Sequence, residues 1–129
     1  MKNKFTDIGF NHPYRPLKKI KVAWGGFWFV MKNDLSVAYK VILSIFVLIF
    51  SYFLRQSIDI ILVVLATGLM ICMEMMNSCV ELMCDFFETG YNEKIKIIKD
   101  VSAAAAGISI LVWVIVIGYE IFELVVEYL

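Results

Sequence analysis

The sequence predicts an all-α integral membrane protein, with three transmembrane helices preceded by an amphipathic surface helix, and three observations carry that expectation. Hydrophobic residues make up 61% of the 129 positions and charged ones 19%, with a mean hydropathy of +0.81, against about 45–50% apolar content in ordinary soluble domains. Three apolar stretches each approach the roughly 20 residues that a helix needs to cross a bilayer. The 12 Lys and Arg equal the 12 Asp and Glu, which leaves no overall basic field and excludes nucleic acid as a partner. At this length a single domain is expected over residues 1–129, without a separate soluble catalytic unit. Cys72, Cys79 and Cys84 fall in one apolar stretch without a C-x-x-C pair. Buried free thiols are therefore expected rather than a disulfide framework or a zinc site.

Each element follows from its local pattern. Residues 1–16 form a polar arm interrupted by Pro13 and Pro16; it lacks the apolar core of a signal peptide and is expected to stay on the chain. His12, within it, is expected to face solvent. Over 17–33, apolar Leu17, Ile20, Trp24, Phe27, Trp28 and Met31 recur at spacings of three and four, flanked by Lys18, Lys19, Lys21 and Lys32. That is the pattern of a helix lying in the headgroup plane. The first span is expected over 35–54, with Lys40 near enough to one end for its ammonium to snorkel to water. Arg55, Gln56 and Ser57 then make a polar turn. The second span is expected over 58–85 and the third over 101–124, the latter opening with an uncharged run from 101 to 119.

Basic residues set the orientation. Eight precede residue 41, Arg55 stands in the first turn, Lys94 and Lys96 lie in the connection expected over 86–98 with Lys99 directly after it at the mouth of the third span, and none follows. With three crossings, the N-terminus and that connection share a side, which the positive-inside rule makes cytoplasmic. The tail carrying Glu120, Glu123 and Glu127 then faces out.

The second span keeps its charges. An intramembrane carboxylate costs about 2.5–3.5 kcal/mol at the centre of a span, so a helix with several either uses or shelters them. At 100° per residue with Glu74 at zero, Asn77 falls at about −60°, Ser78 at about +40°, Glu81 at about −20°, Asp85 at about +20° and Glu88 at about −40°. These six make one stripe that runs from lipid into water, expected to turn inward toward neighbouring subunits. Its wet end can hold a divalent cation through oxygen ligands while the buried carboxylate at its dry end acts as a base. Beyond it, Lys99 suits a phosphate contact and Asp100 suits the cap of the third helix. Ala103, Ala104 and Gly107 form a small-residue face that favours close helix packing and self-association. Gly25-Gly26 is neither a Walker A G-x-x-x-x-G-K-[ST] sequence nor a kinase glycine-rich loop. The stripe alone fits an enzyme acting at the membrane surface, a small oligomeric proton-coupled transporter, or a structural subunit.

The run Glu74-Met75-Met76-Asn77-Ser78-Cys79-Val80-Glu81, then Asp85, then Lys99-Asp100 ahead of an alanine-rich helix, resembles the prokaryotic diacylglycerol kinase and undecaprenol kinase family. The shared pattern is E-x-x-N-[ST]-x-x-E-x-x-x-D followed by K-D-x-x-A-A, and the likeness extends over about residues 15–119. The resemblance implies a homotrimer in the bacterial inner membrane with its active site cytoplasmic, transferring the γ-phosphoryl of Mg-ATP to a lipid hydroxyl. It implies that diacylglycerol becomes phosphatidic acid, with undecaprenol as the alternative acceptor. By position, Glu74 resembles the general base, and Glu81 and Asp34 resemble the Mg²⁺ ligands. Arg15, Asp34, Asn77, Glu81, Asp85, Tyr91, Asn92, Lys99 and Asp100 resemble the ATP-binding set, and Trp24, Glu74 and Ala103 the lipid site. Two departures stand out: Asp34 occupies a position where the family usually has Glu, and Val37-Ala38 replaces its Phe-Arg pair.

Overall fold

A computed structural model describes residues 15–53 and 57–129. The arm over 1–14, with His12 and Pro13, and residues Leu54, Arg55 and Gln56 of the expected first span and turn, lie outside the described residues. Among the described residues there are four helices, α1 (Pro16–Asn33), α2 (Leu35–Phe53), α3 (Ser57–Phe87) and α4 (Glu93–Tyr128). The last three supply segments long and apolar enough to cross a membrane.

One residue separates α1 from α2. Pro16 opens α1 in its first turn, where its missing N–H leaves no helical bond unmade. At the far end Asp34 is extended (φ −118°, ψ 101°). Its own N–H donates to Val30 O at 2.8 Å, closing α1, while its Oδ1 accepts from Ser36 N at 2.8 Å and Val37 N at 3.4 Å, capping α2. The chain turns sharply there because Asp34 serves both helix ends. No residue of α1 is buried within the single chain.

Helical periodicity then sets the packing. On α2 the buried positions are Val37, Lys40, Val41, Ser44, Val47 and Ser51, one face at spacings of three and four. Also buried are Val63, Ala66, Thr67, Met70 and Glu74 of α3 and Ala106, Ser109, Trp113 and Ile117 of α4. Val47, Val63, Ala66, Met70, Trp113 and Ile117 form the apolar centre. Within it the Trp113 indole N–H donates to Ser44 Oγ at 2.7 Å, so two polar groups on α2 and α4 satisfy each other away from water. The outer faces carry large exposed apolar side chains such as Phe46, Phe50, Leu65, Ile108 and Ile115, as a lipid-facing surface requires.

Several boundaries differ from expectation. The third helix starts at Glu93 rather than 101, shortening the connection from 86–98 to 88–92, and its cap is Asn92 rather than Asp100. Asn92 Oδ1 accepts from Lys94 N at 3.0 Å and Ile95 N at 3.4 Å; the lysines that follow mark a helix leaving lipid, not a loop. At its other end α4 continues to Tyr128, past the expected 124, and Glu120 on it is buried. Of the cysteines only Cys84 is buried. Cys72 and Cys79 lie about 160° and 140° around α3 from Glu74, on its outer side.

Helix lengths place the site. At about 1.5 Å per residue α2 is roughly 28 Å long, close to the hydrocarbon thickness, while α3 and α4 reach roughly 46 and 54 Å. Past Glu74 about 20 Å of α3 remains, against about 8 Å of α2 before Lys40. The C-terminal end of α3 and the N-terminal end of α4 therefore extend past the start of α2, and the stripe from Glu81 onward sits on that extension.

Candidate active site

The stripe is the continuation of the packing face of α3. On that helix Val63, Ala66, Thr67 and Met70 are buried, followed by Glu74 on the same side; the face then turns polar through Asn77, Glu81 and Asp85. Burial falls along the same line. Glu74 is 6% exposed, Asn77 and Ser78 are half-buried, and Glu81, Asp85 and Glu88 are exposed.

Glu74 has a partner within its own chain. Its Oε1 accepts from the Lys40 ammonium, which also donates to Ser36 Oγ at 2.7 Å. Lys40 is 3% exposed. The snorkelling expected of it is thus corrected: the stem points across the bundle, where the ammonium meets a carboxylate and a hydroxyl, the kind of partner an ionisable group inside a span takes.

The wet end is differently built. Asn77 Nδ2 donates to Glu81 Oε1 at 3.4 Å, one turn on. Asp85 Oδ1 accepts from the Lys99 ammonium at 2.6 Å, joining α3 to α4. Asp100 lies inside α4 with Lys96 at 3.8 Å, and does not cap it. Tyr91 is exposed, and Asn92 spends its amide oxygen on the helix start. Asp34 spends Oδ1 on α2. Arg15 is exposed, with its carbonyl accepting from Lys19 N at 3.2 Å. Trp24 is exposed on α1, its ring tilted on Phe27 at 5.7 Å, and Ala103 is exposed on α4.

The structure therefore brings Glu74 to α2, Glu81 to Asn77 and Asp85 to Lys99. Among the described residues no three of His, Cys, Asp and Glu gather closely enough to hold a metal by themselves. Sequence reasoning missed Lys40 as a site residue, together with Ser36, which steadies it, and the Ser44–Trp113 bond one turn deeper. The available signal was Lys40 on the apolar face shared with Val37, Val41 and Ser44, since an ionisable residue inside a span implies a partner.

A helical bundle with three membrane-spanning segments and a carboxylate row descending from a buried pair into water defines a polytopic membrane protein with an interfacial site. The family model for prokaryotic diacylglycerol kinase matches residues 21–122, which include α2, α3, most of α4 and every stripe residue. The chain belongs to the prokaryotic diacylglycerol kinase family, and by that membership it is a multi-pass membrane lipid kinase. No curated protein matches the chain.

Proposed function

We propose that the chain transfers the γ-phosphoryl group of ATP to the primary hydroxyl of a membrane lipid, converting diacylglycerol to phosphatidic acid. Undecaprenol, which presents the same hydroxyl at the same interface, is the alternative acceptor. The observation that carries this reading is Glu74, a carboxylate held inside an apolar bundle where the packing face of α3 turns polar.

Glu74 takes the proton of the lipid hydroxyl, and the lipid oxygen attacks the γ-phosphorus in line. The bond from that phosphorus to the bridging oxygen breaks, and ADP leaves with the electron pair. Such transfer asks for positioning and charge neutralisation rather than a covalent intermediate. Glu81 and Asp34 supply hard oxygen donors of the kind Mg²⁺ takes, one or two carboxylates completed by substrate phosphates. When bound there, Mg²⁺ would neutralise charge on the β- and γ-phosphates. Asn77 keeps Glu81 in place through its amide N–H, and Lys99, on the exposed pair with Asp85, meets phosphate by exchanging partners. Arg15, Tyr91, Asn92 and Asp100 border the nucleotide, and Trp24 and Ala103 border the lipid.

The arrangement in the membrane follows from charge. The basic end, with Lys94, Lys96 and Lys99, faces the cytoplasm, in the bacterial inner membrane, and α1 lies on that surface. Three copies assemble around the stripe; open space beside Gly107 on α4 lets a neighbouring backbone approach. The test is phosphate transfer from ATP by purified protein in mixed micelles, with diacylglycerol and undecaprenol compared side by side. Mg²⁺-dependent transfer to either lipid, lost by about 10²–10⁴-fold in Glu74→Gln, is the expected result. Undiminished transfer by that variant contradicts the role given to Glu74.

A further inference from the structure

We propose that Lys40 is the positioning residue of the base. This rests on Glu74 acting as base, and it adds a second side chain, from α2, to the chemistry that α3 carries.

Three observations converge on it. Lys40 is almost completely buried although it sits only about 8 Å from the start of α2, so its side chain has turned away from the nearest water. Its ammonium is fixed from two sides, by Glu74 Oε1 on α3 and by Ser36 Oγ on the preceding turn of α2. Below the pair, Ser44 and Trp113 bond to each other and Met70 is fully buried, which closes that side to water. A pair so enclosed has one geometry rather than an ensemble.

The consequence for the reaction lies in which oxygen is used. With Oε1 held by Lys40, the other oxygen of Glu74 meets the lipid hydroxyl, and the carboxylate cannot rotate away from it. As the proton moves from the lipid oxygen to Glu74, the positive charge of Lys40 remains close to the negative charge that the lipid oxygen gains when its proton leaves, before the bond to phosphorus forms. Lys40 itself gives up and accepts nothing; it acts through Glu74.

The test is steady-state kinetics of full-length Lys40→Met, Lys40→Arg and Ser36→Ala with Glu74→Gln beside them. Lys40→Met is expected to lower kcat about 10–100-fold, the worth of a hydrogen bond to a charged group, with KM for ATP unchanged. Lys40→Arg is expected to restore most of it, because a guanidinium keeps the charge and a donor. Ser36→Ala loosens the ammonium without removing it and is expected to cost about 2–10-fold in kcat; should Lys40→Met not fold, this variant decides. Wild-type kcat in Ser36→Ala together with a non-folding Lys40→Met overturns the proposal. So does wild-type kcat in Lys40→Met while Glu74→Gln is inactive, with the base reading intact. A rise in KM for ATP at constant kcat overturns it in favour of a nucleotide contact. Full activity in Glu74→Gln removes the base and this proposal with it.

Discussion

Among the described residues two ion pairs cross from α3 to a neighbouring helix, and they differ in solvent rather than in chemistry. Lys40–Glu74 has side chains 3% and 8% exposed, whereas Lys99–Asp85, about 16 Å further along α3, has side chains 36% and 66% exposed. Breaking the first strands a charge among Val37, Val41 and Met70. Breaking the second hands both partners to water, or to a phosphate and a cation. A single acidic stripe thereby carries a fixed group at one end and exchangeable ones at the other, which suits the proposed transfer of a phosphoryl group from a nucleotide to a lipid.

The largest effect that tests this contrast is on stability. Glu74→Leu leaves Lys40 buried and unpaired, an expected loss of about 3–5 kcal/mol in the unfolding free energy measured in micelles, while Glu81→Leu leaves it unchanged. Similar losses in both would erase the distinction between the two ends. Next is Ser44→Ala, which deprives the Trp113 indole of its acceptor. Side-chain hydrogen bonds inside membrane bundles are worth about 0.6–1.7 kcal/mol, and a fall in that range, with transfer activity retained below the unfolding temperature, is expected. The smallest is Asp85→Asn, for which no measurable shift in unfolding is expected because the pair is exposed. A shift as large as that of Ser44→Ala would mean that the assembled protein shields Asp85 from water.

The three spans were legible because their apolar runs exceed what any soluble helix of that composition sustains, and the stripe was legible because 100° per residue puts Glu74 and Glu81 on one side of α3. Helix ends were not. Past Asp85 the chain turns polar, and polarity reads alike for a loop and for a helix emerging into water; only Asn92, with its oxygen on Lys94 N, decides between them. The partner of Glu74 was hidden for a different reason. Lys40 lies 34 residues away in sequence, and matching them requires the relative register of α2 and α3, which depends on how Val47, Val63 and Met70 interlock rather than on either helix alone. Asp34 shows a third limit: a residue type suited to both a cap and a metal gives no sign in sequence that one oxygen is already committed to the cap.

The central claim is that the buried end of α3 acts on the lipid and the exposed end holds the nucleotide with its metal. Calorimetric titration of Mg-ATP into the lipid-free protein in detergent separates them. Glu74→Gln is expected to bind Mg-ATP like the unaltered chain, and Glu81→Gln to bind it about 10–100-fold more weakly, as loss of a charged contact implies. Weakened binding in Glu74→Gln beside unchanged binding in Glu81→Gln would contradict the assignment.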